Sequence, residues 1–176
     1  MKYNNHKAFK KGMDKAKDLI INYLIDKLDS FGKYLLTDAQ MNAEFQSFTG
    51  NTLTSIAFGL YENNNLVAYS FIEGLKPPIR AKVQNGTFVY LQNPYEGEAR
   101  GVSGQVEISE KYGYQTSERI LKELRPKGGS GIIMTTGTEY SEFIEERGLN
   151  VLTETFNNTK FQAVSWIKIN PNASIK

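Results

Sequence analysis

Near the start of the chain Phe9, Met13, Ala16, Ile20 and Tyr23 recur at three- and four-residue steps, and Leu24, Leu28, Phe31 and Leu35 continue a neighbouring stripe. This 3.6-residue period predicts an amphipathic helix with one buried side, best defined over residues 8–29. Gly12 weakens its first turns, and Ser30-Phe31-Gly32 offers a stop. The period then changes to two. Residues 54–61 set Ile56, Phe58 and Leu60 on one side, Glu62-Asn63-Asn64-Asn65 is a turn-rich tetrad, and Leu66 to Ile72 resumes an extended pattern. These features predict a β-hairpin. Thr49, ahead of Gly50-Asn51, is placed to cap a short helix leading into its first strand.

Residues 74–130 differ in character and read as an insertion, or arm, within a single domain spanning 1–176. Pro77-Pro78 interrupts any helix, Thr87 to Leu91 predicts a strand, and 93–114, rich in Gly, Tyr, Glu and Ser, predicts a long loop. A short helix follows over 116–124, capped by Thr116 or Ser117, with Ile120, Leu121 and Leu124 apolar; Pro126 to Gly131 ends it. Loops of this length in compact domains usually serve contacts.

Regular pattern returns with a strand over Gly131–Thr136 and a helix over Thr138–Arg147, capped by Thr138 and stopped by Gly148, with Tyr140, Phe143 and Ile144 on its core face. Alternation over 149–156 and 161–169, around Asn157-Asn158-Thr159-Lys160, predicts a second hairpin, and 171–176 a loose tail. The sum is an α+β fold, a long N-terminal amphipathic helix packed on a mainly antiparallel sheet.

Composition narrows the chemistry. The chain has 176 residues, no cysteine and one histidine, His6. Disulfides, thiolate sites and cysteine nucleophiles are excluded, and His6, in a Lys- and Asn-rich context, reads as solvated. The apolar runs are far shorter than the roughly 18–20 residues needed to cross a bilayer, and the first residues lack a signal-peptide pattern. Lys+Arg number 21 and Asp+Glu 19, but residues 1–35 hold eight lysines against four aspartates. The lysines read as the wet face of the amphipathic helix, with nucleic-acid contact as the competing use.

No catalytic constellation emerges. Gly128-Gly129-Ser130-Gly131 precedes a strand, whereas a phosphate cradle opens a helix, so it reads as a linker. Glu142, Glu145 and Glu146 share one helical side and read as a solvated face. Ser70, Ser103 and Ser130 lack a histidine base other than His6. Tyrosine is a stronger signal: Tyr90, Tyr95, Tyr112 and Tyr114 stand in the inserted stretch, and tyrosine suits protein contacts because it buries area and keeps a polar tip.

Two stretches carry a family resemblance. Phe48-Thr49-Gly50-Asn51-Thr52-Leu53-Thr54-Ser55-Ile56 follows the long helix, and Thr135-Thr136-Gly137-Thr138-Glu139-Tyr140-Ser141-Glu142-Phe143-Ile144-Glu145 precedes Gly148. Together they resemble the neck and tail-completion proteins of tailed bacteriophages, the minor tail protein Z type. Here the leucine is shifted one place, to Leu53, Ser141 stands where alanine is common, and the long separation of Ile56 from Tyr140 marks 74–130 as inserted.

The resemblance implies a virion structural protein, not an enzyme, at the head–tail (portal–tail) junction. It implies a homo-oligomeric ring with portal, adaptor-ring and tail proteins as neighbours, packaged DNA nearby, assembly in the host cytoplasm, and no cofactor, metal or membrane. The candidate subunit contacts are Tyr90, Tyr95, Tyr112 and Tyr114. The rival readings are a nucleic-acid-binding or regulatory module using the basic helix, and a small hydrolase using Glu142 and Glu145.

Overall fold

The computed structural model describes residues 5–45, 50–75, 79–82, 88–92, 112–127, 129–138 and 141–167. Their elements are α1 (Asn5–Met41), α2 (Asn51–Ser55), β1 (Ala57–Glu62), β2 (Asn65–Phe71), β3 (Ile79–Lys82), β4 (Phe88–Gln92), α3 (Gly113–Glu123), β5 (Ser130–Thr135), α4 (Ser141–Glu146) and α5 (Thr153–Ile167). The fold is α+β, with the long helix α1 packed on a three-stranded antiparallel sheet of order β2-β1-β5.

β1 is the central strand, buried along Ala57–Tyr61. Its alternation serves both faces. Phe58 and Leu60 join Leu28, Leu36, Ala39, Ile56, Ile72 and Val151 in the core under α1. Gly59 and Tyr61 face α3, where the Tyr61 hydroxyl donates to the Leu121 carbonyl at 2.7 Å. The predicted hairpin forms with its first strand starting at Ala57, because 54–55 belong to α2. Its two-residue turn is Asn63-Asn64, with φ of 48° and 71°. That left-handed pair gives the twist a tight hairpin needs.

α1 corrects the expected stop. The helix runs through Ser30-Phe31-Gly32 to Met41, and Phe31, Gly32, Leu35, Leu36 and Ala39 are all buried. Gly32 is the point of closest approach to the sheet: a Cβ there would lie 2.5 Å from Phe58 Cε2. The predicted burial of the first stripe is also corrected. Residues 5–20 are exposed on every side, with Phe9 68%, Met13 57% and Ile20 51% exposed. The buried face is the neighbouring stripe, about a quarter-turn around the helix at 3.6 residues per turn. The front of α1 therefore stands clear of the body.

α3 starts earlier than predicted, at Gly113, not after a Thr116 or Ser117 cap. The Gly113 N–H donates to Asn51 Oδ1 at 2.9 Å and the Tyr112 N–H to Gln115 Oε1 at 3.2 Å, which anchors the first turn. Ser117 and Leu121 are fully buried, so α3 covers the second face of the sheet. The predicted strand at 87–91 is matched by β4, which pairs antiparallel with β3 in a separate two-stranded ribbon. Pro77-Pro78 and most of the expected loop, 93–111, lie outside the described residues, as do Phe48, Thr49, Gly128, Glu139 and the tail 171–176. α2 instead follows Gly50.

β5 forms as expected. The following helix is described over Ser141–Glu146, with Thr138 and Ser141 hydrogen-bonded to each other through their hydroxyls at its start; Glu139 and Tyr140 lie outside the described residues. Gly148 stops it at φ 75°, with Gly148 N–H donating to the Glu145 carbonyl and Leu149 N–H to the Ile144 carbonyl. That double bond pattern needs a left-handed residue. Phe143, expected in the core, is 51% exposed beneath the Arg147 guanidinium, and Tyr140 lies outside the described residues.

The second hairpin is overturned: 153–167 is one helix, α5. Thr155, Thr159, Gln162, Ala163 and Trp166 recur at helical spacing, with Thr155 fully buried. Trp166 packs tilted against Phe31 at 5.5 Å and Tyr34 at 5.4 Å between ring centroids, docking α5 on α1.

Candidate functional site

Where α1, β5 and α5 meet, they leave an apolar groove of about 680 Å³. Leu28, Phe31 and Leu35 form one wall, β5 from Ser130 to Met134 the floor, and Leu152, Thr153, Phe156 and Thr159 the other wall. Leu28, Phe31 and Leu35 are inward residues of α1, and Ile132 and Met134 are the core-side residues of β5. Phe156 is 63% exposed at the rim.

The floor is also a sheet edge. β5 pairs with β1 from Ala57↔Thr135 to Glu62↔Ser130, and no strand flanks its other side among the described residues. Its sequence, Ser-Gly-Ile-Ile-Met-Thr, carries no charge and no proline. Free edges ordinarily carry lysine, proline or a bulge against unwanted pairing, and this one is bare. An edge with no partner strand among the described residues, beside an apolar trough, suits an added strand, with ladder bonds for affinity and the trough for its side chains.

The groove's second wall is held in place by Glu145. Its Oε1 accepts the N–H groups of Val151 at 3.0 Å, Leu152 at 2.5 Å and Thr153 at 3.0 Å, at the entrance to α5. Burial pushes the carboxyl pKa up, but the Leu152, Thr153 and Val151 donors outweigh it and hold the group below the usual carboxylate range. A carboxylate at a helix start also meets the positive end of the peptide dipoles. Asn150 adds a second tie, donating through Nδ2 to the Asn42 carbonyl at 2.8 Å and accepting Glu154 N–H at 2.8 Å. The expected solvated face thus keeps Glu142 and Glu146 but not Glu145. A remote cap of this kind spans a loop, and the one sequence signal for it is a carboxylate just ahead of the Gly148 stop.

The two stretches that carry the family resemblance meet at one buried junction. The Ser55 and Thr136 hydroxyls lie 2.7 Å apart, Thr136 is 3.0 Å from Ser141 Oγ, and Ser117 Oγ donates to the Ser55 carbonyl at 2.5 Å. Gly137 lets the backbones close up: a Cβ there would lie 2.1 Å from the Gly113 carbonyl oxygen and 2.5 Å from the Ser117 nitrogen. The hydroxyls are mutually satisfied and no ionisable group joins them, so the junction reads as a structural clasp.

Two of the four candidate tyrosines meet. Tyr112 and Tyr114 stack at 5.5 Å at the start of α3, and Tyr114 meets Phe71 edge-on at 6.3 Å, on the β2 side of the sheet. Tyr69 continues this patch; its hydroxyl donates to Glu118 at 2.6 Å, and Lys122 bonds Glu118 at 2.5 Å. Those two partners, Lys122 first, hold the Glu118 pKa low. Tyr90 sits in β4, opposite Arg80 in the register. Tyr95 lies outside the described residues.

Among the described residues no group of three or more His, Asp or Glu is placed to hold a metal ion, and no helix is long and apolar enough to cross a membrane. Ser70 donates to the Phe71 carbonyl, Ser130 lies at the groove's end, His6 is exposed, and Ser103 is outside the described residues. No protein-family model, curated protein or solved structure matches the chain.

Proposed function

We propose that this chain is a structural subunit of a tailed-bacteriophage virion, a neck or tail-completion protein that forms a homo-oligomeric ring at the head–tail junction. The observation that carries the reading is the uncharged open edge of β5 lying along an apolar groove. A closed ring needs two different, complementary patches on each subunit. The β3–β4 ribbon supplies the second. Its β3 strand carries Arg80 and Lys82, whereas β4, Phe-Val-Tyr-Leu-Gln, carries no charge and is close in length to β5. β4 of one subunit adds to β5 of the next, with Tyr90 at the centre of the added strand. The work is mechanical: sealing the head exit and adapting one ring to its neighbours around a passage wide enough for DNA.

The rival hydrolase reading loses its geometry, because Glu145 is committed to three backbone amides and Glu142 is exposed. Two measurements test the proposal. Quantitative mass spectrometry of purified particles made from the encoding genome should find the chain at a fixed copy number; particles lacking it refute the proposal. Native mass of the purified chain with and without Phe156→Glu tests the groove, since Phe156 lines it and the fold leaves it exposed. An oligomer that persists unchanged in the variant refutes this interface.

A further inference from the structure

The exposed front of α1 is a second surface, distant in the chain from the groove and independent of it. Phe9, Met13, Ala16, Ile20 and Tyr23 are spaced by four, three, four and three residues. That is the 3.5-residue average of a coiled-coil seam over two heptads, with Met13 and Ile20 at the a positions and Phe9, Ala16 and Tyr23 at d. The chain's own core leaves Phe9, Met13, Ala16 and Ile20 exposed and Tyr23 half-buried, because α1 meets the sheet only further along its length. A helix presenting a seam without a helix on it calls for one.

The charges beside the seam say which kind. Lys10 and Lys17 stand at the e positions, directly after Phe9 and Ala16, and both are exposed. In an antiparallel pair of two copies, Lys10 would face Lys17. In a parallel pair Lys10 would face Asn5 and Lys17 would face Gly12, with no counter-charge. Either self-pairing leaves the flank repelled or unanswered, whereas acidic residues on a different helix would answer it. Nucleic acid fits less well. The far face interleaves Asp14 and Asp18 with Lys7, Lys11 and Lys15, which breaks the cationic line a phosphate backbone requires, and the seam itself is apolar. We infer that the front of α1 is a docking site for an acidic amphipathic helix of another protein, which pairs with the Phe9–Tyr23 seam and sets its carboxylates against Lys10 and Lys17.

The test uses the full chain and two synthetic three-heptad peptides. Both have isoleucine at a and leucine at d; one has glutamate at e and g, the other lysine. Fluorescence anisotropy at low salt should show the glutamate peptide bound at least tenfold more tightly. Met13→Glu with Ile20→Glu, at exposed positions, should abolish that binding while leaving thermal unfolding of the body unchanged. Lys10→Glu with Lys17→Glu should invert the preference. Equal binding of the two peptides, or binding of neither, overturns the inference. So does tighter binding to a short DNA duplex or to phosphatidylserine vesicles than to the glutamate peptide. A seam substitution that changes only the self-association mass overturns it too, assigning the surface to a second copy.

Discussion

The two glycines of α1 make a matched pair with opposite expected signs. Both sit in the same helix, where alanine is intrinsically favoured over glycine by about 0.8–1.0 kcal/mol. At Gly12 an added Cβ meets nothing within 4 Å. At Gly32 it would lie 2.5, 2.6 and 2.7 Å from three ring atoms of Phe58, which is fully buried. Carbon atoms rest near 3.5–4.0 Å, so the ring must retreat by roughly 1 Å into a filled core. Overpacking of that kind costs about 1–3 kcal/mol, and three simultaneous contacts with an aromatic ring place it near the top of that range. Subtracting the propensity gain leaves Gly32→Ala destabilised by about 2 kcal/mol, a fall of roughly 4–8 °C in Tm for a chain of this size.

Gly12→Ala should raise Tm by roughly 2–4 °C, the propensity gain with no clash set against it, and raise the helical signal in far-UV circular dichroism. Urea unfolding of Gly32→Ala, of Phe58→Leu and of the two combined gives the coupling directly. The smaller side chain should recover part of the loss that Gly32→Ala causes. A Gly32→Ala protein as stable as the parent would mean that α1 does not lie flush on the sheet, and the packing account given above would fail.

Three further outcomes are expected. Gly137→Ala should cost at least about 3 kcal/mol, because its Cβ would strike backbone atoms of Gly113 and Ser117, which cannot swing aside; a soluble variant with unchanged urea midpoint would contradict the clasp. Glu145→Gln should lose about 1–2 kcal/mol near neutral pH. The folded-state pKa of Glu145 lies below its unfolded value, so its contribution is complete above the unfolded pKa and disappears as pH falls through the folded one. The gap between parent and variant should therefore hold from pH 7 to about 5 and narrow as pH falls on through the folded-state pKa, and a gap that does not narrow in acid would count against the cap. Thr155→Val should raise stability by up to about 1 kcal/mol, because Thr155 is fully buried and its hydroxyl has no hydrogen-bond partner among the described residues; a lower Tm would show that the hydroxyl is used.

The elements whose pattern matches their environment were legible. The hairpin reads correctly because β1 alternates cleanly and Asn63-Asn64 suits a left-handed turn, and the overall α+β class follows from it and from α1. Glycine misled at residue 32, where it marks close approach and not a helix end. α5 was illegible for a different reason: 149–156 and 161–169 alternate as strands would, while the one fully buried side chain of the helix among its described residues is polar, Thr155. The groove was lost with it, since α5 supplies one of its walls. The seam on α1 was visible as periodicity, but only the packed structure reveals that its own body leaves it open.

α1 is unbroken from Asn5 to Met41, so its solvent-facing tip and the wall of the core belong to one rigid rod. The sixteen exposed residues alone would extend about 24 Å at 1.5 Å per residue. A pull or twist at Phe9 therefore travels along continuous helix to Gly32, where α1 lies against Phe58. The molecule is built as a cantilever, and load applied at the tip is read at the centre of its sheet.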